Sequence, residues 1–495
     1  MRRRGGLAQV GRNRNGRVLT LFMALVALLL PLVGSTGTAR AGQTGPARNI
    51  ILLIGDGMGD SEITIARNYG PGAAGRLSMD KPSVTGAYTT YALQEKNPKL
   101  PDYVPDSAAT GTAWATGSRT SNGRISTTAG TDGDLKTILE IAQARGMATG
   151  NVSTAEITDA TPAVLGAHVA ARGCQGPQDM KECPQDKKSA GGPGAIAEQL
   201  VDHRIDLILG GGRKRFTQAI DGGPDAGKTV IASAQGQGYT VIGNATELAG
   251  AQLPVLGLFN DGNMSLEWKG EVAKPGAGSG PQRCQEGQRP ANEPALEAMA
   301  STAITLLDGR TAGGAQGFFL QIEGASIDKQ DHAANPCGQI GETLAFDRAV
   351  QVALDYAATR NDTLVIVTAD HGHSSQIIPL DAKPLGLSST LTTNEGAEMR
   401  ISYATAPEGG SQEHTGTQVR IAAQGPGAAG VSGVIGQTDL FQIMLGALGE
   451  GGAPVPGLPN TGAGGALTRS LGWLPFPVAA LLGFVAFGVL RRRRV

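Results

Sequence analysis

At 495 residues and 40% hydrophobic content, the chain can bury a sizeable core, which excludes a disordered or low-complexity protein. A formal net charge of -1 leaves no basic footprint for nucleic acid, so an anionic ligand would have to be met by a local positive site. The 74 glycines, set among recurrent apolar runs, point to tight turns and backbone-lined loops.

Residues 1–41 read as an export signal. Arg2, Arg3, Arg4, Arg12, Arg14 and Arg17 precede an apolar run from Val18 to Val33, and small residues end in the cleavage pattern Ala39-Arg40-Ala41. The alternative is a membrane anchor, but the run is shorter than the roughly 20 residues a spanning helix needs. Order is expected from about Asn49 to Leu448, with residues 42–448 as the main folded domain.

Three segments share one grammar, a continuous apolar run of strand length followed at once by an acid with glycines or a histidine. They are Asn49–Ile54 into Gly55-Asp56-Gly57, Phe318–Ile322 into Glu323-Gly324, and Thr363–Ala369 into Asp370-His371. Runs without alternation imply strands buried on both faces, hence a largely parallel sheet between helix layers, an α/β three-layer αβα sandwich. Such sheets collect their sites at strand carboxyl ends. Between these segments, Leu135–Ala144 and Glu342–Ala358 carry helical patterns. Ser107 lies at a helix start in Pro105-Asp106-Ser107-Ala108-Ala109-Thr110, where it could cap the helix, or meet a phosphoryl group at the positive end of the dipole. Asp206–Gly212 is a strand that runs into glycines with no acid or histidine after it. Residues 222–294, rich in Gly, Gln, Asn and Pro, read as an inserted or peripheral subregion. Asp328 and His332, four apart, share one helical face and could chelate a cation. His414 stands in another acid-flanked segment, Gln412-Glu413-His414-Thr415-Gly416.

Four cysteines in an exported chain read as two disulfides, for which three pairings exist. Cys174 with Cys183 would close a small loop, and Cys284 with Cys337 a long one contributing roughly 4 kcal/mol. A metal-thiolate site is disfavoured, because the usual CxxC pairs are missing. Beyond a Gly/Pro linker at 449–457, residues 458–495 hold Leu458-Pro459-Asn460-Thr461-Gly462, an apolar stretch from Leu471 to Leu490 and the tail Arg491 to Arg494. This order resembles an LPxTG cell-wall sorting signal, in which a sortase cuts between Thr461 and Gly462 and joins the chain to the wall. A plain transmembrane anchor is the alternative.

From Asn49 to about Leu448 the chain resembles the bacterial alkaline phosphatase family. The resemblance rests on long motifs: NIILLIGDGMGDSEIT from Asn49, PDYVPDSAAT from Pro101, GNVSTAEITDATPA from Gly150, FFLQIEGASIDKQDHAANPCGQIGET from Phe318, TLVIVTADHGHSS from Thr363 and SQEHTG from Ser411. It implies a phosphomonoesterase that uses two Zn2+ and one Mg2+. Ser107 would be the nucleophile that becomes a phosphoserine, and Arg172 the clamp on two phosphate oxygens. One zinc would take Asp328, His332 and His414, and the other Asp56, Asp370 and His371. Magnesium would take Asp56, Thr161 and Glu323, with Asp159 acting through water, and Lys329 would reach the phosphate through water. The two zinc ions would assist attack by Ser107 and departure of the alkoxide in turn.

Two departures stand out. Only residues 42–48 would precede the first strand, whereas relatives often embrace a partner subunit with a longer arm, so a homodimer is left open. Gly173 follows Arg172 where some relatives carry lysine. A sulfatase would need its own formylglycine motif around the nucleophile, and Ser107 has none. A wall-anchored binding module with a dead site would be expected to lose ligands, and the full set stands here. The resulting expectation is a secreted, wall-anchored enzyme that scavenges phosphate from small phosphomonoesters.

Overall fold

The computed structural model describes residues 45–450. The export signal, most of the linker, and the sorting signal with Thr461 and Gly462 lie outside the described residues.

Ten strands form the central sheet: β1 (Asn49–Gly55), β2 (Val84–Thr89), β3 (Ala148–Glu156), β4 (Leu207–Gly211), β5 (Thr240–Ile242), β6 (Val255–Leu258), β7 (Phe318–Gly324), β8 (Thr363–Ala369), β9 (Val419–Gln424) and β10 (Gly433–Gly436). Their spatial order is β10-β2-β9-β8-β1-β7-β3-β4-β6-β5. Every neighbouring pair is parallel except the two made by β9, which alone runs against the rest. Strands β1, β7 and β8 sit at the centre and are buried at every position, as their unbroken apolar runs require. Helices Leu296–Ala312 and Pro336–Ala358 pack together as one group, and Ser107–Thr116, Ile138–Ala144 and Gln437–Ala447 as another. The result is the expected three-layer αβα sandwich.

Two helices depart from their sequence-expected bounds for legible reasons. The helix expected from Leu135 begins at Ile138, because Thr137 caps it and Glu140 returns its carboxylate to the Thr137 N–H, a capping box. The helix expected from Glu342 begins at Pro336, with the Asn335 side chain accepting from the Gly338 N–H and proline in the first turn. Residues 222–294 are more integrated than a peripheral insertion. They supply β5 and β6 at one sheet edge, and Ser279–Gln282 pairs with Leu387–Thr392 in a separate four-stranded sheet. The disulfides join Cys174 to Cys183 and Cys284 to Cys337, the second tying this segment to the start of the long helix.

Candidate active site

Register places the acids. β1 lies between β7 and β8, with Gly55 opposite Gly324 on one side and Ala369 on the other. The residue after β1 is Asp56 and the residue after β8 is Asp370, so the two carboxylates emerge side by side, with Glu323, opposite Ile54, two positions back on β7. Gly57 makes this turn at φ 67°, and its N–H donates to Asp370 Oδ1 at 2.8 Å. A Cβ here would meet the His373 ring at 2.8 Å, so glycine is required by both conformation and space. Asp370 Oδ1 also accepts the His371 N–H at 2.8 Å, leaving Oδ2 3.2 Å from His371 Nε2.

Ser107 is the first residue of its helix, not the cap. Asp106 caps it, accepting the Ala109 N–H at 2.9 Å, which leaves the Ser107 hydroxyl free. Ser107 Oγ is 3.4 Å from Asp56 Oδ1 and 3.3 Å from His371 Nε2. Asp56, Asp370 and His371 bring one donor atom each within 4.8 Å of the others, and all three are buried.

A second cluster forms around Asp328, on the helix Ser326–His332. Its Oδ1 is 3.4 Å from His332 Nε2 and 3.3 Å from His414 Nε2, and those two nitrogens are 3.0 Å apart. His332 Nδ1 is 2.5 Å from the Gln412 carbonyl and His414 Nδ1 is 3.0 Å from that of Pro105. A carbonyl only accepts, so each Nδ1 carries the proton and each Nε2 turns its lone pair inward. Two lone pairs and a carboxylate oxygen facing one point match the donor set of a zinc site. His373 joins them, its Nε2 2.7 Å from Asp328 Oδ1.

On the third side, Asp159 caps the short helix that carries Thr161. Asp159 Oδ1 meets Arg172 Nη2 at 2.8 Å and Oδ2 meets Lys329 Nζ at 2.9 Å. Arg172 Nη1 is 3.1 Å from Asp106 Oδ2, so the guanidinium is held from both sides. Glu323 accepts from the Ser153 hydroxyl. The Thr161 hydroxyl and Asp370 Oδ2 are buried without a hydrogen-bond partner among the described residues. Oxygens of this kind suit a hard cation.

The electrostatics follow from crowding acids in a dry place. Burial, then Asp370, Asp328 and Glu323, push the Asp56 carboxyl up, and burial raises Asp370. Burial lifts Glu323 to about 7 against the help of Ser153. His371 is held well below its ordinary value by burial and then by His414. For Asp159, burial is outweighed by Lys329 and Arg172, and the carboxyl is driven down. Lys329 is raised, the cost of burial being overcome by Asp159 and Asp56. Buried acids at Asp56, Asp370 and Glu323 that are raised, with a neutral His371 beside them, form a site that gains from bound cations.

The candidate catalytic, substrate-contacting and metal-ligating residues named from the sequence fall in these three groups. Three residues were not named. His373 lies two positions after His371, and that alternation was a usable signal. The Asp106 cap on Ala109 is local, but its contact with Arg172 and that of Ser153 with Glu323 join residues distant in sequence, for which the local sequence holds no signal.

The alkaline phosphatase family model matches residues 47–411. A streptomycin-6-phosphate phosphatase of Streptomyces griseus is 53% identical over 443 residues, covering 88% of this chain and 97% of that protein. An alkaline phosphatase of Escherichia coli is 52% identical over 421 residues, covering 82% and 86%. The structure of an alkaline phosphatase from the Antarctic bacterium TAB5 superposes with a TM-score of 0.63 at 26% identity, over 82% of this chain and 99% of that one. The chain belongs to the alkaline phosphatase family.

Proposed function

We propose that the chain hydrolyses phosphate monoesters through a phosphoserine on Ser107. The observation that carries this is the Ser107 hydroxyl, free at a helix N-terminus and in contact with both Asp56 and His371. The Ser107 Oγ–P bond forms as the ester P–O bond breaks, and the alcohol leaves. Water then displaces the serine and inorganic phosphate is released. Arg172, fixed between Asp106 and Asp159, presents its planar fork to two phosphoryl oxygens, and Lys329 adds positive charge beside it. The residues above fit two zinc ions, on Asp328, His332 and His414 and on Asp56, Asp370 and His371, and a magnesium on Asp56, Thr161 and Glu323 with Asp159. Bound there, the ions supply Lewis acidity that lowers the pKa of hydroxyl and water and offsets phosphoryl charge. Only the phosphoryl group is gripped, so leaving groups of many kinds are accommodated.

The test is hydrolysis of a chromogenic phosphomonoester at alkaline pH, with and without chelator, beside Ser107→Ala. Activity that survives both treatments would overturn the reading.

The two disulfides suit an oxidising compartment. No helix among the described residues is long and apolar enough to cross a membrane. The sequence supports export through residues 1–41, wall attachment by sortase at Thr461 and Gly462, and scavenging of phosphate there. Retention of Thr461→Ala in the wall fraction would count against sortase.

A further inference from the structure

The two remaining histidines meet away from Ser107, on the helix layer beside β3. His168 follows the short helix after β3, and His203 ends the helix Ile196–Asp202. Between them stands Glu140, in the first turn of Ile138–Ala144. His168 Nε2 is 3.3 Å and His203 Nδ1 4.0 Å from the same atom, Glu140 Oε1, and the three donor atoms lie within 4.8 Å of one another. Ligands sharing one zinc at 2.0–2.2 Å sit about 3.4 Å apart, so little movement separates the cluster from a coordination sphere.

The His168 ring and the Glu140 carboxylate are each aimed by a second bond, and the backbone at both histidines is held. His168 Nδ1 is 3.0 Å from the Ser126 carbonyl, which fixes the ring with Nε2 facing Glu140. Burial is outweighed by Glu140 and that carbonyl, so His168 is raised and an arriving cation would displace the Nε2 proton. Glu140 Oε2 accepts the Thr137 N–H at 2.7 Å, which turns Oε1 into the cluster. Gln199 grips the His168 backbone on both sides, accepting its N–H at 2.8 Å and donating to its carbonyl at 3.1 Å. The Gln199 carbonyl accepts the His203 N–H at 2.9 Å, and Gln143 donates to the His203 carbonyl at 2.7 Å.

A bare ion pair between His168 and Glu140 leaves one group unexplained. His203 Nδ1 is a buried atom with no hydrogen-bond partner among the described residues. Burial holds His203 below its ordinary value, in spite of Glu140. An imidazole with an unused nitrogen, beside a second imidazole nitrogen and a carboxylate oxygen, is the donor set of zinc and its neighbours, not of magnesium or calcium. The side chains of His168, Glu140 and His203 are 9%, 23% and 27% exposed, so an ion can enter from solvent and keep a water as fourth ligand.

We propose that Glu140, His168 and His203 form a further zinc site, separate from the ions at Ser107, which pins the Ile138–Ala144 and Ile196–Asp202 helices together.

The test compares the zinc content of the full chain, equilibrated with micromolar zinc and freed of excess, with that of two variants. His203→Ala changes a partly exposed helix end. Glu140→Gln keeps an oxygen for the Thr137 N–H, and the urea midpoint of each variant is measured beside its zinc content to identify the folded ones. The wild type should hold one more zinc per chain than either variant, while phosphomonoester turnover stays within about twofold. Zinc-soaked crystals should show anomalous scattering between the three side chains. Equal zinc content in wild type and folded variants, with no anomalous signal there, would overturn the proposal.

Discussion

His373 is placed to act on the site through another side chain. It lies 2.7 Å from the Asp328 carboxylate that also faces His332 and His414. Partners that orient a ligand in this way typically change metal affinity by about 10–100-fold. His373→Ala should therefore lose activity at limiting zinc and regain most of it when zinc is raised, as a titration of rate against free zinc would show. Ser107→Ala should fall by at least about a thousandfold at every zinc concentration if Ser107 is the nucleophile proposed above. The contrast between recoverable and unrecoverable loss separates a positioning residue from a catalytic one. Asp328 and His332 were legible because they are four apart on one helix, and a local rule reaches that far. His373 pairs with Asp328 across 45 positions, and no local pattern encodes a contact of that length.

At the scale of elements, the site depends on where strands stop and helices begin. The strand ends after β1, β7 and β8 were visible as apolar runs broken by an acid. The helix starts were less so, since Asp106 and not Ser107 proved to be the cap. Asp106 also binds the Gly123 N–H and Arg172, so one carboxylate anchors a helix and positions a guanidinium. Asp106→Ala should cost about 1 kcal/mol or more of stability in urea unfolding and loosen Arg172, raising KM for phosphomonoesters. The long helix Pro336–Ala358 carries a different liability. Glu342 is buried and its carboxyl is pushed up to about 8 by burial, although Oε1 accepts the Glu267 N–H at 2.9 Å. The folded state thus binds this proton more tightly than the unfolded state does, whose carboxyl has an ordinary value of 4.5. The contribution is fully present below that value and is lost as pH rises toward 8. Glu342→Gln should flatten this slope, so that the variant gains on the wild type between pH 5 and pH 8.5, by on the order of 3 kcal/mol in urea midpoints.

For the whole molecule, one buried sheet fixes the geometry and its periphery stabilises it. The α/β class followed from unbroken apolar strands, but the reversal of β9 and the joining of residues 222–294 to both sheets did not. β9 pairs with β2 and β8, far from it in sequence, and that choice is made by packing and not by local propensity. The disulfide from Cys284 to Cys337 closes a separation of 53 residues and ties the 222–294 segment to the long helix. Replacing both cysteines with serine should lower unfolding stability by roughly 4 kcal/mol on the loop-entropy model, with the phosphatase site left intact at low temperature. The central claim concerns the covalent step on Ser107. Its most direct measurement follows a phosphoryl group made chiral by oxygen isotopes as it passes from a phosphomonoester to an acceptor alcohol. Two in-line displacements, onto Ser107 and off it, predict retention of configuration at phosphorus. Inversion would show a single displacement by the acceptor and contradict the account.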